Sequence, residues 1–194
     1  SRGLGDVYKR QIYVISRISG EGADRKAEPG DYYLSEQEEE ELKAITECYD
    51  NTIVILNVGG VMDVSFLEKY NIAALVMLSQ AGMEGGNALA DVLSGAVTPS
   101  GKLTDTWGCH YEDYPSSATF SHNNGNIIEE KYYEGIYVGY RYFDSFEVEP
   151  RYPFGYGMSY TTFDVATENA AWKPDAESKT ITVTVKVTNT GSCA

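Results

Sequence analysis

The chain has 194 residues, 42% of them hydrophobic. That is enough for a globular core rather than a disordered tail, and the length suits one domain plus a piece of another. Fifteen Lys and Arg against 29 Asp and Glu give a formal net charge of −14. A surface of that sign repels a nucleic-acid backbone and anionic lipid, and no apolar run approaches a membrane span, so neither partner is expected.

Residues 1–11 are polar and carry neither strand nor helix periodicity. Asp6-Val7-Tyr8-Lys9-Arg10-Gln11 resembles the translated end of a sequencing-library transposon. The segment reads as a non-native assembly scar, and it lacks the apolar stretch of about 7–15 residues that a signal peptide needs. On this reading the native protein continues upstream, and the chain is a fragment.

Ile12–Ile18 reads as a strand. The polar loop 19–34 follows it and opens with Ser19-Gly20-Glu21-Gly22-Ala23-Asp24-Arg25. One carboxylate, Glu21, therefore stands between two glycines just past the C-terminal end of a strand, the edge at which open α/β sheets bind ligands. Glycine on both sides permits a sharp turn and close approach of a substrate. From spacing alone, a solvated glutamate in a glycine turn is the favoured reading, and it is the order of motifs along the chain that reverses the preference.

Ser35, with Glu38 three residues on, forms a capping box, and the run Glu38 to Glu41 suits a helix start. Leu42, Ile45 and Cys48 make the buried stripe of that helix. Asp50 and Asn51 turn the chain. Thr52–Val58 is a continuous, largely β-branched run, as in a strand buried on both faces. Gly59-Gly60 ends it in a turn. A short helix over Val64–Tyr70 and a second buried strand, Ile72–Leu78, come next. Gly82–Ser94 reads as a helix with Leu89, Val92 and Leu93 inward and Gly95 as its C-cap. Strands separated by helices imply a parallel sheet. The fold class is thus α/β, a mostly parallel sheet flanked by helices.

After Pro99-Ser100-Gly101-Lys102-Leu103 the chain turns rich in Tyr, Asp, Gly and Pro, with a surface turn over His122–Asn126. The aromatic ladder from Tyr132 to Phe143 has two readings. It is a platform on which sugar rings stack, or it is packing between layers. Thr180–Thr188 alternates Ile181, Val183, Val185 and Val187 like a half-buried strand of a β-sandwich. So few strands cannot close a sandwich, which marks this end as truncated too.

Other sites are weaker. Cys48, Cys109 and Cys193 have no metal-like spacing, and only His110 and His122 could join them, so no metal site is expected. Free thiols fit a reducing compartment such as the cytoplasm. Gly82, Gly85 and Gly86 do not make a dinucleotide fingerprint, and Glu84 among them repels phosphate. Glu84 reads as a helix-end and packing residue or as a contact to substrate. Ser35 and Ser159 lack the setting of a nucleophile elbow. His110 reads as structural.

In order, the motifs are Val14-Ile15-Ser16-Arg17-Ile18-Ser19-Gly20-Glu21-Gly22 with Asp24-Arg25-Lys26, Gly30-Asp31, Gln80-Ala81-Gly82 with Glu84-Gly85-Gly86, Pro99 to Leu103, Glu134 to Asp144 and Pro153 to Tyr160. In this order and over about residues 12–194, the chain resembles the C-terminal half of glycoside hydrolase family 3, among its bacterial β-glucosidase-like members. Ala23 departs from it, since many relatives carry an aromatic residue there. The resemblance implies an N-terminal (β/α)₈ barrel bearing a nucleophilic Asp, then an α/β sandwich domain, then a fibronectin type III-like domain. Here it implies a truncated sandwich domain over 12–160 and the start of the third domain over 161–194.

By resemblance Glu21 is the general acid/base, and the nucleophile lies outside this chain with the missing barrel. Asp24 and Arg25 are substrate-binding or loop-ordering; a nearby Asp–Arg pair either tunes the acid or stiffens its turn. The implied function is hydrolysis of terminal β-linked sugars by a retaining enzyme, with no cofactor or metal, and the fragment alone is expected to be inactive. The alternative is a non-catalytic carbohydrate-binding or scaffolding module that uses the aromatic ladder.

Overall fold

The computed structural model describes residues 10–18, 22, 24–122, 124–171 and 182–193. Within them the chain divides into two compact units. The first comprises Ser1–Leu89 and Lys102–Tyr156; the second, Ala90–Gly101 and Gly157–Ala194.

The first unit is built on a three-stranded parallel sheet in the order β1 (Arg10–Ser16), β2 (Asn51–Asn57), β3 (Ile72–Met77). Helix α1 (Glu36–Cys48) connects β1 to β2, and the short α2 (Phe66–Lys69) connects β2 to β3. This is the expected α/β arrangement. β2 is the apolar run expected to be buried on both faces, and as the central strand it is: Val54, Ile55 and Leu56 are fully buried. β3 differs from the expectation of a second buried strand. It lies at the sheet edge, and Ala73 and Ala74 are exposed.

β1 begins two residues earlier than expected and ends two earlier. Arg10 and Gln11 pair with Asn51 and Thr52. A parallel ladder recruits backbone whatever the side-chain pattern, so periodicity does not mark its ends. On β1 the faces differ sharply: Ile15 is fully buried, whereas Val14 is 51% exposed. Ile18, placed in the strand by its apolarity, lies beyond it and is exposed.

Helix α1 starts as its sequence dictates. The Ser35 hydroxyl accepts from the Glu38 amide at 3.2 Å, and the Glu38 carboxylate accepts from the Ser35 amide at 2.8 Å. Glu36, Glu38 and Glu39 place negative charge in the first turn, where the helix dipole favours it. Leu42 is the buried anchor of this helix; it packs with Ile15, Leu34, Val54, Leu56, Met62 and Phe66 in one core. The expected stripe ends early, since Ile45 is half-buried and Cys48 is exposed. Cys48 is the last residue of the helix, where little of the chain remains to cover it. α1 is tied to β1 by Tyr13, whose hydroxyl donates to Glu41 at 2.7 Å. Burial and this bond hold the Tyr13 phenol well above its ordinary pKa.

Helix α3 (Gly85–Ser94) begins three residues after the expected start, because Gly82 and the residues after it form the turn that leads in. Gly95 ends it with φ of +78°, the left-handed C-cap. A small antiparallel pair, β4 (Trp107–Gly108) with β5 (Pro150–Tyr152), and helix α4 (Tyr140–Ser145) lie in the aromatic region, with short 3₁₀ turns over Tyr111–Asp113 and Phe120–His122.

In that region Phe143 is buried against Tyr114 and Tyr142, so part of the ladder is packing. Tyr132, at 86% exposure, and Tyr133 are not. Burial pushes the Tyr114 phenol up to about 12.

In the second unit β6 (Phe163–Ala171) pairs antiparallel with β7 (Thr182–Asn189). The alternating strand is present, but its apolar side chains are not half-buried as expected. Val183, Val185 and Val187 are all exposed, as are Phe163 and Val165 on the partner strand. A two-stranded ribbon has no second layer of its own to cover them. Thr180 and Ile181 lie outside the described residues.

Candidate functional site

The candidate site is the C-terminal edge of the parallel sheet. The chain leaves β1 at Arg17, whose amide still donates to the Asn57 carbonyl of β2 at 3.2 Å. Ser19, Gly20, Glu21 and Ala23 lie outside the described residues. The expected acid/base position therefore carries no structural description, while the residues flanking it on both sides do.

Arg17 is the upstream flank and is only 7% exposed. Its Nε donates to the Asp31 carbonyl at 2.7 Å, and Nη2 to the Tyr33 carbonyl at 3.2 Å. Nη1 and Nη2 meet the two oxygens of Glu38 at 2.7 and 2.8 Å, a bidentate pair. Glu38 thus serves the helix cap and the arginine together. Burial alone would raise its carboxyl, but the Arg17 bonds, the Ser35 amide and the Arg17 charge outweigh it and hold the group below the usual range.

Arg25 is the downstream flank. Nε donates to Asp31 Oδ1 at 2.6 Å, Nη2 to the Asp31 carbonyl at 2.8 Å and Nη1 to the Val61 carbonyl at 2.7 Å. The other Asp31 oxygen accepts from the Lys26 amide at 2.7 Å. Burial pushes the Asp31 carboxyl up; the Lys26 amide and Arg25, with Arg17 behind it, bring it below its ordinary value. Asp24 is exposed. The Asp–Arg pair of this loop is Arg25–Asp31, not Arg25–Asp24.

One backbone atom, the Asp31 carbonyl oxygen, accepts from both guanidinium groups. The turn that presents it is closed by its own hydrogen bonds. Gly30 donates to the Tyr33 carbonyl at 2.9 Å, with φ of +85° at Gly30, and Tyr32 donates to the Lys26 carbonyl at 3.2 Å. Two further loops join in. Val61 follows β2, and Gln80, after β3, donates to the Arg17 carbonyl at 3.4 Å. All three strands thus send their C-terminal loops into one polar lattice.

Arg17 and Asp31 received no role from sequence reasoning, and Glu38 only that of the capping-box partner of Ser35. The available signal was an arginine ending a strand, followed by a capping-box glutamate that a buried cation could share.

Beside the lattice lies an open hollow of about 310 Å³. Tyr33, Asp63, Lys69, His110 and Glu112 are among the residues that line it. Asp63 is engaged with Ser65, whose hydroxyl donates to it at 2.6 Å, and Lys69 is paired with Glu39 at 2.9 Å. The His110 amide donates to Asp113 at 2.7 Å. Glu84 is exposed and accepts from the Asn87 side chain at 2.6 Å, a helix-end arrangement. Among the described residues no group of three or more His, Cys, Asp or Glu could hold a metal ion, and no helix is long and apolar enough to cross a membrane.

Residues 8–160 match the model of the glycosyl hydrolase family 3 C-terminal domain. The chain belongs to this family. It is 39% identical over 184 residues to a β-glucosidase of Ruminococcus albus, an alignment covering 94% of this chain and 18% of that protein. It is 42% identical over 178 residues to β-glucosidase A of Butyrivibrio fibrisolvens, covering 78% and 21%. Among solved structures, β-glucosidase 3B of Thermotoga neapolitana in complex with glucose superposes with a TM-score of 0.86 at 41% identity, over 97% of this chain and 26% of that one. A β-glucosidase of Paenibacillus barengoltzii gives the same TM-score at 40% identity, over 97% and 20%. The chain thus spans about a fifth to a quarter of the length of these family members.

Proposed function

We propose that this chain is the acid/base-bearing part of a retaining β-glycosidase that releases terminal β-linked sugars. The observation that carries the reading is the family match over residues 8–160, which includes the whole Ser19–Arg25 segment. The names of the relatives, all β-glucosidases, and the glucose bound to the Thermotoga neapolitana enzyme support the substrate class. In this reading Glu21 is the general acid/base. The nucleophile belongs to a barrel domain outside the chain, and residues 161–194 open a fibronectin type III-like domain.

A retaining glycosidase needs two carboxyl groups about 5–5.5 Å apart. One attacks the anomeric carbon. The other protonates the departing oxygen and then takes a proton from the water that releases the sugar. Delivering the second carboxyl from a loop at a sheet edge lets it reach across to a nucleophile held on another domain. Arg25, through Asp31 and Val61, orders the end of that loop; Asp24, exposed beside it, is left for substrate. Positioned proton transfer of this kind contributes about 10²–10⁴-fold. The exposed aromatic residues of the ladder, Tyr132, Tyr133, Tyr137 and Tyr140, stand on the side of a carbohydrate-binding module.

The test is Glu21→Ala in the full-length protein that carries this segment. With a dinitrophenyl β-glucoside, whose leaving group needs no proton, the first step is nearly spared. With a poor leaving group kcat/KM falls about 10²–10⁴-fold. The glycosyl-enzyme then accumulates on the reactive substrate, and azide, which needs no base, releases it as the β-glycosyl azide. Equal losses on both substrates with no azide rescue would reject Glu21 as the acid/base.

A further inference from the structure

We propose that Asn124 is a site of spontaneous deamidation, at which the Gly125 amide nitrogen displaces the Asn124 side-chain amide and the turn ages to isoaspartate and aspartate. Asn124-Gly125 is the single Asn-Gly pair in the sequence. Glycine hinders its own nitrogen least, since no Cβ stands beside the line of attack. The surroundings of Gly125 are equally open: nothing lies within 4 Å of where a Cβ would stand, and φ is +78°. Both residues are exposed, so water reaches the reacting atoms and ammonia escapes.

The hydrogen bonds of the turn bear on the reaction in two ways. The Asn126 amide donates to Asn124 Oδ1 at 3.0 Å. Attack on Cγ drives negative charge onto that oxygen, and a backbone N–H already aimed at it stabilises the tetrahedral intermediate as an oxyanion hole does. The Gly125 N–H donates to the His122 carbonyl at 2.8 Å, and this bond must open before the nitrogen swings toward Cγ. Asn126 is a poorer candidate. Its Oδ1 accepts from the Ile128 and Glu129 amides, and the next residue is Ile127, whose branched side chain crowds the equivalent attack.

The step balances with water alone. Hydroxide takes the proton from the Gly125 nitrogen. That nitrogen bonds to Asn124 Cγ, the Cγ–Nδ2 bond breaks, and Nδ2 leaves as ammonia with a proton from water. The five-membered succinimide then takes up one water at either of its two carbonyls. Opening at one gives aspartate; opening at the other gives isoaspartate, in which the main chain runs through the former side-chain carbon. Nothing is oxidised or reduced. Either product makes the formal net charge one unit more negative than −14. Isoaspartate also adds a carbon to the main chain inside the turn, so the His122–Gly125 bond is not remade at the same span.

The test is to hold the purified chain warm in mildly alkaline buffer for days and to digest samples with trypsin. The peptide from Leu103 to Lys131 should separate into the parent and two new species, each heavier by the difference between an amide and an acid. Fragmentation should place the change at Asn124, and an isoaspartate methyltransferase should methylate one of the two species. In Gly125→Ala the rate should fall about tenfold, because the added methyl crowds the attacking nitrogen. If that variant does not fold, methylation of the parent chain decides by itself, since isoaspartate forms only by way of the ring. A peptide that stays unchanged, a change that maps to another asparagine, aspartate without isoaspartate, or a folded Gly125→Ala that reacts as fast as the parent would each overturn the proposal.

Discussion

Glu38 carries three donors on two oxygens: two from Arg17 and the Ser35 amide. Its partner is buried, so removing the charge leaves a guanidinium stranded away from water. Glu38→Gln should therefore cost about 3 kcal/mol of unfolding free energy at pH 7, read from urea denaturation of the chain. The pH dependence has a definite sign. Glu38 and Asp31 both titrate below their ordinary values in the folded chain. Their contribution is complete above the unfolded carboxylate range, about pH 4, and disappears as pH falls through the lower folded values. The gap between the parent chain and Glu38→Gln should close as pH is lowered from 5 toward 2. A gap that holds constant over that range would mean that Glu38 acts through packing rather than charge.

Among the elements, helix α1 and strand β2 were the most legible. The Ser35–Glu38 box is a local device whose two halves lie within one turn, and a central strand displays its burial directly as an unbroken apolar run. What was not legible depends on contacts distant in sequence. Arg17 reaches partners 14 to 21 residues away, and Arg25 reaches Val61 36 residues on, so no window over the loop reveals the lattice. The apolar alternation of β7 announced a strand correctly but could not report whether a second layer covers it.

Helix α3 offers a test at this scale. Gly85 is buried at its start, and a Cβ there would lie 2.5 Å from the Ala81 Cβ, on a neighbour with no rotamer to move. Gly85→Ala should destabilise the chain by about 1–3 kcal/mol despite its better helix propensity, and adding Ala81→Gly should recover part of the loss. Gly85→Ala that stabilises in thermal melts would show that the turn before the helix yields freely.

For the whole molecule, the proposed division of labour predicts a catalytically silent chain. Purified residues 1–194 should leave an aryl β-glucoside untouched above buffer, and a Glu21→Ala version should be indistinguishable from it. Glu21-dependent turnover by this chain alone would overturn the assignment of the nucleophile to another domain. The acidic net charge and the exposed Ile12 and Val14 pull its solution behaviour in opposite directions. Self-association by light scattering should accordingly rise with salt, which screens the charge and leaves the apolar face unaffected.

The double duty of Glu38 also constrains how this segment can change over generations. An ordinary surface ion pair can exchange its signs, acid for base, through two substitutions. Here the exchange is closed: a base at position 38 could meet an acid at 17, but it would face the Ser35 amide with a donor, and the Asp31 and Tyr33 carbonyls would each lose one of their two donors. The pair Arg17–Glu38 is therefore locked in polarity, and drift around it is confined to residues that touch neither the cap nor the shared carbonyl.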